Sequence, residues 1–442
     1  MKQSVDPKLE TILRAKLPPR AFPDDIAPYL QEPRGAFKGR FGLVVAPETT
    51  QEVSDVIKLA AQFRAPVIPY SGGTGLVSGQ VAPEIAKPLI LSTGRMTAIR
   101  AVYPTENVLV AEAGAILANV QDAAADAGRL FPLSLASEGS ARIGGLLGTN
   151  AGGVNVLRYG NTRDLCFGLE VVLPNGEVMD IMSELHKDNS GYNLKHLFIG
   201  AEGTLGIITA AVLKLSPKPR AYATAMVAAQ SVSGALDLLN RLQAATGGSV
   251  EAFEYMPRPY IAAHMRMIKG AREPFEAEYD VNILLEVGAT SEAGATLGDD
   301  GRPIVATQLE ETLGALLEDG AVLDAVVAQN EAQRREMWAR REAAAEVIFG
   351  QNPVINNDIA VPVDKVEAFI TMADEAIKQA DGEAYPIIVA HLGDGNVHYA
   401  VKAPNHTAEI KAQIVEIVEQ CVLSFGGSFS AEHGIGTYKL PS

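Results

Sequence analysis

The 442-residue sequence predicts an α+β protein built from two domains. Three observations lead to this fold class. The chain is longer than one hydrophobic core usually covers. Short β-type runs alternate with single helical patterns along most of its length. A Ser-Pro-Lys-Pro break at 216–219 separates a glycine-rich first half from a second half that alternates more regularly. We therefore expect an N-terminal lead-in at 1–38, one domain at 39–217 and a second at 218–442.

The first domain is predicted from apolar periodicity between turn-forming residues. Helices are predicted at 52–64 and 115–127, and strands at 67–69, 88–91, 107–112 and 204–215. Asn175-Gly176, between apolar runs at 169–173 and 177–181, is typical of a type I′ hairpin.

The second domain is predicted to hold a largely antiparallel sheet with helices on one face. Its predicted strands are 222–229, 249–255, 281–287, 321–328, 355–361 and 386–391. Its predicted helices are 231–245, 257–269, 305–319, 330–349, 364–380 and 407–424.

Composition and charge restrict the partners of this chain. Hydrophobic residues make up 47% and charged residues 20%, so the chain can bury a core and is not disordered. The formal net charge of −16 argues against binding to nucleic acid or to an anionic membrane surface. Cys166 and Cys421 have no metal or redox spacing and are expected to be reduced thiols. No apolar run approaches the roughly 18 residues of a membrane span, so we expect a cytoplasmic protein.

Segment 70–76, Tyr-Ser-Gly-Gly-Thr-Gly-Leu, follows a predicted strand and can bind an anion. Consecutive glycines let backbone N–H groups converge on one ligand, because no Cβ blocks the approach. A dinucleotide turn of the GxGxxG type is not indicated, since Ser78 stands at its third glycine position and no helix pattern follows. An ordinary tight turn is the alternative.

A second glycine cluster strengthens the binding interpretation. Seven glycines lie between Gly139 and Gly160. A long loop with so few side chains cannot be stabilised by its own packing, so we expect it to fold over a flat, polar group such as a cofactor.

Segment 391–398, His-Leu-Gly-Asp-Gly-Asn-Val-His, indicates a metal site. Asp394-Gly395 predicts a two-residue type I′ turn, which would place His391 directly opposite His398 on one face. Two imidazoles so placed can bind a divalent metal. The alternative is an ordinary hairpin with two polar residues on its solvated face. Glu432 can complete a His₂Glu ligand set, and His433 beside it can act as a general base.

Three segments resemble the FAD-binding half of the vanillyl-alcohol-oxidase type flavoproteins: 69–76, 143–164 and 200–209. In that family the first loop holds the FAD pyrophosphate and the second lies along the flavin, which implies an FAD-binding domain at 39–217. Covalent members often attach FAD through a histidine near the first loop. This loop has Thr74 instead, so the resemblance implies non-covalent FAD. The implied FAD contacts are Ser71, Gly72, Gly73, Thr74, Gly75, Leu76, Pro132, Ser137, Gly139, Gly144, Gly145, Asn150, Gly152, Gly153, Arg158, Tyr159, Gly160, Gly203, Ile207 and Ile208.

Taken together, residues 38 to 439 resemble the FAD-linked D-2-hydroxyacid dehydrogenases, the group with D-lactate dehydrogenase, the glycolate oxidase large subunit and D-2-hydroxyglutarate dehydrogenase. The resemblance implies a substrate- and metal-binding cap domain at 218–442. It implies a divalent metal, often zinc, on His391, His398 and Glu432, with His433 as the base. The segment Trp-Ala-Arg-Arg-Glu at 338–342 matches a family motif that makes Arg341 a clamp for the substrate carboxylate. Without the resemblance, a solvated helix face is the favoured interpretation of Arg341.

The resemblance implies oxidation of a D-2-hydroxy acid to the 2-keto acid, with hydride transfer to flavin N5. Electrons would leave for an unidentified acceptor, either a quinone, a cytochrome or an electron-transfer flavoprotein, and a homodimer is one assembly to consider. A non-redox group transferase of the same fold and a non-catalytic flavin-binding subunit are the alternatives.

Two departures from the family pattern affect these expectations. Relatives acting on dicarboxylates tend to carry Thr, Lys and Asn where this chain has Ala345, Asn356 and Ala400, so the far end of the substrate is undefined. The C-terminal tail is short, with nine residues after His433. We expect a catalytic loop so near the terminus to fray unless other residues hold it.

Overall fold

The computed structural model describes residues 4–40, 42–350, 353–404 and 406–440, which divide into two compact units. The first unit holds the described residues up to Gly153, together with Gly160–Lys218 and those from Glu432 onward. The second unit holds Val154–Tyr159 and Pro219–Ala431. Residues 154–159 and the C-terminal residues therefore lie in a different unit from their neighbours in sequence.

The secondary structure follows the predicted alternation of short strands and single helices. Within the described residues, the helices are α1 Pro7–Lys16, α2 Thr50–Gln62, α3 Leu117–Asp126, α4 Ile143–Thr149, α5 Val156–Tyr159, α6 Lys195–Phe198, α7 Val232–Thr246, α8 Arg258–Met267, α9 Glu292–Ala295, α10 Ile304–Glu318, α11 Glu331–Glu342, α12 Ala344–Phe349, α13 Val366–Ala380 and α14 Ala408–Ser424. The strands are β1 Leu43–Val45, β2 Val67–Tyr70, β3 Leu89–Ser92, β4 Ile99–Tyr103, β5 Val108–Glu112, β6 Arg129–Leu130, β7 Cys166–Val172, β8 Val178–Ile181, β9 Ile207–Lys214, β10 Ser216–Pro217, β11 Ala221–Ala229, β12 Val250–Pro257, β13 Val281–Ala289, β14 Asp324–Val327, β15 Val354–Ala360, β16 Tyr385–His391 and β17 Asn396–Lys402.

The first unit contains two main sheets of different type. A parallel sheet has the strand order β1-β3-β2, and α1 and α2 pack on it through buried residues such as Leu9, Leu13 and Val56. An antiparallel sheet has the order β4-β5-β9-β7-β8. The predicted hairpin joins β7 to β8, but its type is wrong. The loop has three residues, 174–176, and only Gly176 has a positive φ, of 81°.

The second unit is built on a seven-stranded antiparallel sheet with the order β14-β11-β13-β12-β16-β17-β15. Helices cover both faces: α7, α10, α13 and α14 lie on one, and α8, α11 and α12 on the other. The expectation of helices on one face is therefore wrong. Every residue of β12 is buried, so side chains pointing in both directions need cover. The predicted α+β fold class is confirmed.

The hairpin β16–β17 has a register that differs from the prediction by two residues. His391 pairs with Asn396, and His398 pairs with Val389. Residues 392–395 form a four-residue loop because Leu392 turns into the core, where it is fully buried and its N–H donates to the carbonyl of Phe253 at 3.0 Å. A shift of two keeps the same side chains on the same face, so His391 and His398 are diagonal neighbours.

Helix α11 begins at an Asn330 cap, whose side chain accepts a hydrogen bond from the N–H of Gln333 at 3.0 Å. The predicted helix at 330–349 is divided into α11 and α12 at Ala343. Arg334 and Arg341 are seven residues apart, or about two turns, so they lie on the same side of α11. This side contacts the sheet.

We predict that Leu392→Ala destabilises the second unit. Removing a fully buried leucine side chain lowers the free energy of unfolding by about 2–5 kcal/mol. Urea unfolding followed by the fluorescence of Trp338, the single tryptophan in the sequence, measures this change. Leu423→Ala, at an exposed position on α14, is the control and should change the midpoint little. Equal effects of the two substitutions would contradict the anchoring role of Leu392.

Candidate active site

The first glycine loop follows β2 and has the properties of an anion cradle. Among the described residues, none accepts a hydrogen bond from the backbone N–H groups of residues 72–76. A methyl group at Gly72 would lie 2.7 Å from the carbonyl oxygen of Ser140, so the close approach of these backbones requires glycine. Five consecutive N–H groups without a protein acceptor fit the pyrophosphate of FAD.

The second glycine cluster was expected to be a loop, but its densest part is helix α4. Gly144 packs on Ala113, because an added methyl group would lie 2.8 Å from the Cβ of Ala113. The N–H of Gly145 donates to Oγ of Ser71 at 3.1 Å, which joins the two glycine segments. Asn150 ends α4 in the left-handed conformation, with a φ of 52°. The glycines of α4 allow the helix to pack closely on its neighbours, which the density of glycines in the sequence did not indicate.

Most of the other predicted FAD contacts also lie in the first unit. Pro132, Ser137 and Gly139 lie between β6 and α4, and Ile207 and Ile208 begin β9. Four of the predicted glycine contacts have positive φ values: Gly73 with 70°, Gly153 with 108°, Gly160 with 80° and Gly203 with 77°.

Arg158 and Tyr159 lie on α5 in the second unit, where both side chains contact the buried carboxylate of Glu251 at 2.5 and 2.8 Å. Burial raises the pKa of Glu251 in spite of these bonds. The roles of Arg158 and Tyr159 toward FAD stay a prediction.

The loop with Glu432 and His433 is held in the first unit by several hydrogen bonds. Oε1 of Glu432 accepts from the N–H of Gly153 at 2.5 Å. The carbonyl of Val77 accepts from the N–H groups of Thr437 and Tyr438 at 2.9 and 3.0 Å. The loop therefore has the anchoring that a segment near the terminus needs.

Glu202 is a further anchor of this loop that sequence reasoning missed. Its carboxylate accepts from the N–H groups of Ile435 and Gly436 at 2.7 and 2.8 Å. Glu202 has a positive φ of 51°, which is uncommon for a residue with a side chain, and its own N–H donates to the carbonyl of Gly148 at 2.8 Å. An acidic residue inside the glycine-rich segment 200–206 was the available signal.

The structure brings His391 and His398 together in the second unit, on the sheet face covered by α11. Their ring centroids are 5.3 Å apart. Nδ1 of His391 lies 2.8 Å from Oε1 of Glu254, and Nδ1 of His398 lies 3.6 Å from Oδ1 of Asp358. A carboxylate beside the Nδ1 atom of a histidine orients the ring and directs Nε2 to a metal. The two histidines therefore fit the ligand chemistry of a divalent cation.

Arg341 is buried and contacts the same carboxylate as His391. Its Nε donates to Oε2 of Glu254 at 2.7 Å, which excludes the solvated helix face as its environment. Burial alone would raise the pKa of Glu254, but the charges and hydrogen bonds of His391 and Arg341 outweigh it and lower that pKa. Glu254 is therefore ionised. Sequence reasoning missed this residue, since a single glutamate in a strand pattern carries no motif.

A second buried carboxylate, Glu286, binds the other arginine on the sheet side of α11. Arg334 donates from Nε and Nη2 to the two oxygens of Glu286 at 2.7 and 2.8 Å. Nε1 of Trp338 donates to Oε2 at 2.8 Å. In this structure Trp338 of the predicted substrate motif therefore has a packing and hydrogen-bonding role.

The three positions that depart from the family pattern lie on or beside this sheet. Asn356 on β15 pairs directly with Ala400 on β17, and Ala345 lies on α12. Ala400 is buried and belongs to the apolar cluster on the α11 face. Neither alanine can form an ion pair with a second carboxylate.

Comparisons with known proteins identify the family. Residues 42–182 match the FAD binding domain, and residues 218–441 match the C-terminal domain of FAD linked oxidases. The chain is 33% identical to a probable mitochondrial D-2-hydroxyglutarate dehydrogenase of Oryza sativa subsp. indica, over 92% of this chain and 70% of that protein. It is 33% identical to D-2-hydroxyglutarate dehydrogenase of Xanthomonas citri pv. viticola, over 90% of this chain and 81% of that protein.

Solved structures show the same fold at low sequence identity. An alkyldihydroxyacetonephosphate synthase aligns with a TM-score of 0.71 at 17% identity, covering 96% of this chain and 81% of that chain. A p-cresol methylhydroxylase with substrate bound aligns with a TM-score of 0.72 at 15% identity, covering 98% and 89%.

The matched domains define a flavoprotein with an FAD binding domain, and its fold is that of the aligned structures. More particularly, the chain belongs to the FAD linked oxidases. The resemblance to the FAD-linked D-2-hydroxyacid dehydrogenases is confirmed, and with it the prediction that the chain is an oxidoreductase of that group.

The described residues include no helix that is long and apolar enough to cross a membrane.

We predict that Glu202→Gln loosens the loop after His433. Charge-assisted hydrogen bonds contribute about 1.5–3 kcal/mol each, so losing the carboxylate should speed amide hydrogen exchange at 435–438 about tenfold or more. Mass spectrometry of peptic peptides measures this rate. Glu106→Gln, at an exposed position in the same unit, is the control. Unchanged exchange at 435–438 in Glu202→Gln would contradict the anchoring role of Glu202.

Proposed function

We propose that this protein oxidises a D-2-hydroxy acid to the corresponding 2-keto acid, using non-covalent FAD and a divalent metal, most simply zinc. The D-2-hydroxyglutarate dehydrogenases among its relatives and the two matched domains support this reaction class. Electrons would pass from the flavin to a quinone, a cytochrome or an electron-transfer flavoprotein.

The observation that carries the proposal is the double contact of Glu254. One buried carboxylate accepts a hydrogen bond from Arg341 and lies 2.8 Å from Nδ1 of His391. Arg341 is the proposed substrate clamp and His391 a proposed metal ligand. Two motifs predicted separately from the sequence, 338–342 and 391–398, thus meet at one residue of β12.

The metal would be held by His391, His398 and Glu432. Imidazole and carboxylate form a common ligand set for catalytic zinc, which keeps a coordination position open. The hydrogen-bond distance between Nδ1 of His391 and Glu254 supports this assignment, because it leaves Nε2 of His391 as the donor for a metal. A divalent metal would supply a Lewis acid that lowers the pKa of the substrate hydroxyl.

The reaction follows from the roles of three groups. Arg341 binds the carboxylate at C1 of the substrate through its guanidinium fork and so fixes C2. His433 removes the hydroxyl proton as C2 loses its hydride. The chemistry that bound FAD supplies is hydride acceptance at N5. The products are the 2-keto acid, reduced flavin and a protonated His433.

The residues expected at the far end of the substrate bear on its length. D-2-hydroxyglutarate is the first candidate because several relatives are named for it. Ala345 and Ala400 offer no charge to a second carboxylate, and Asn356 offers only neutral hydrogen bonds. We therefore propose that monocarboxylic D-2-hydroxy acids also react.

We predict that D-2-hydroxy acids, and not their L enantiomers, bleach the flavin absorbance of the purified protein under anaerobic conditions. The panel holds D- and L-lactate and D- and L-2-hydroxyglutarate, each with and without a chelator. The chelator should abolish bleaching, and added zinc should restore it. Bleaching by both enantiomers alike would overturn the stereochemical assignment, and bleaching that resists complete metal removal would overturn the metal assignment.

We predict that His433→Ala retains FAD but loses turnover. General base catalysis typically contributes about 10²–10⁴-fold, so kcat should fall by that factor while the flavin spectrum stays unchanged. His406→Ala, at an exposed position, is the control. A kcat within twofold of the wild type in His433→Ala would remove His433 from the proposed base role.

A further inference from the structure

We propose that Glu254 is a positioning residue that couples substrate binding to metal binding, because it holds Arg341 and His391 at the same time. This inference rests on the proposed roles of Arg341 and His391. It assigns to Glu254 a function for which the motifs of the sequence give no indication.

The side chain of Glu254 is shielded from water, so solvent cannot replace its hydrogen-bond partners. Its side chain is about 1% exposed on the central strand β12. One oxygen faces Arg341 at 2.7 Å and the other faces His391 at 2.8 Å. A buried carboxylate must keep its hydrogen bonds, because the free energy of burying it without them is highly unfavourable. Any movement of one partner therefore changes the position available to the other.

The contact with Glu254 decides which atoms of Arg341 remain for a ligand. Nε is used by Glu254, whereas Nη2 is buried and has no hydrogen-bond partner among the described residues. This N–H group can therefore donate to an acceptor on a bound ligand. A substrate carboxylate supplies such an acceptor, and the fixed Nε sets the direction in which the rest of the planar guanidinium points.

The same contact decides which nitrogen of His391 can bind a metal. Because Nδ1 lies 2.8 Å from Oε1 of Glu254, Nε2 is the ring nitrogen left for a metal. Because both contacts are made by one buried side chain on a central strand, substrate binding at Arg341 and metal binding at His391 favour the same position of Glu254. Each should therefore strengthen the other, by the same factor in both directions.

Glu286 provides a matched control within the same sheet. It is also buried and also binds an arginine from α11, but among the described residues it contacts no histidine. Glu286→Gln therefore removes a buried carboxylate that contacts neither Arg341 nor His391. Substitution there should lower stability and leave both affinities near the wild-type values.

The experiment compares the FAD-containing wild type with Glu254→Gln, Glu254→Asp and Glu286→Gln. Two readouts do not depend on turnover: zinc affinity from competition with a chelator, and affinity for the 2-keto acid product from its perturbation of the oxidised flavin spectrum. In Glu254→Gln we expect both affinities to fall about 10- to 100-fold, and zinc no longer to improve keto-acid binding. Glu254→Asp keeps the charge on a shorter side chain that cannot reach both partners, so one affinity should recover and the coupling should stay lost.

The proposal is overturned if Glu254→Gln lowers the two affinities no more than Glu286→Gln does, or if zinc still improves keto-acid binding in the variant. Where Glu254→Gln does not fold, Glu254→Asp decides, and zinc that still improves keto-acid binding in that variant overturns the proposal. Failure of the proposed function has a different signature, since the wild type itself would then show no keto-acid perturbation or no zinc affinity.

Discussion

The second unit depends on the pairing of charge inside a sheet that is covered on both faces. Moving a carboxylate out of water costs several kcal/mol, so Glu254 and Glu286 can be buried only with cationic partners. Helix α11 supplies both, through Arg341 and Arg334. The Arg341–Glu254 pair fixes the position of the proposed substrate clamp, and the Arg334–Glu286 pair holds the first turn of α11 against the sheet.

The first unit is held together by close contacts between backbone segments, whereas the second depends on buried ion pairs. Gly144 and Gly145 let α4 pack directly on Ala113 and on the first glycine loop. A side chain at either position would push these segments apart. The same region reaches the C-terminal loop through main-chain hydrogen bonds to two carboxylates, Glu202 and Glu432. Order in the loop with the proposed base thus comes from residues more than 200 positions earlier in the chain.

The sequence predicted what depends on local patterns and missed what depends on distant partners. The shared face of His391 and His398 was predictable, because side chains alternate along a strand and a register shift of two preserves the face. The register of the β16–β17 hairpin was not predictable, because the burial of Leu392 in the core sets the length of the loop. The partners of Glu254 lie 87 and 137 residues away, a separation that no local pattern encodes.

The two arginines on the sheet side of α11, Arg334 and Arg341, differ in how completely their guanidinium groups are hydrogen-bonded. Arg334 forms a two-bond pair with Glu286, and its Nη1 donates to Glu331 at 3.3 Å, so each of its nitrogens has a partner. Arg341 makes one bond to Glu254 through Nε and keeps a buried Nη2 without one. The two residues have the same type, the same helix and the same kind of carboxylate partner. The difference between them is that Arg341 keeps one donor, Nη2, for a ligand that accepts hydrogen bonds, which is what its proposed role as substrate clamp requires.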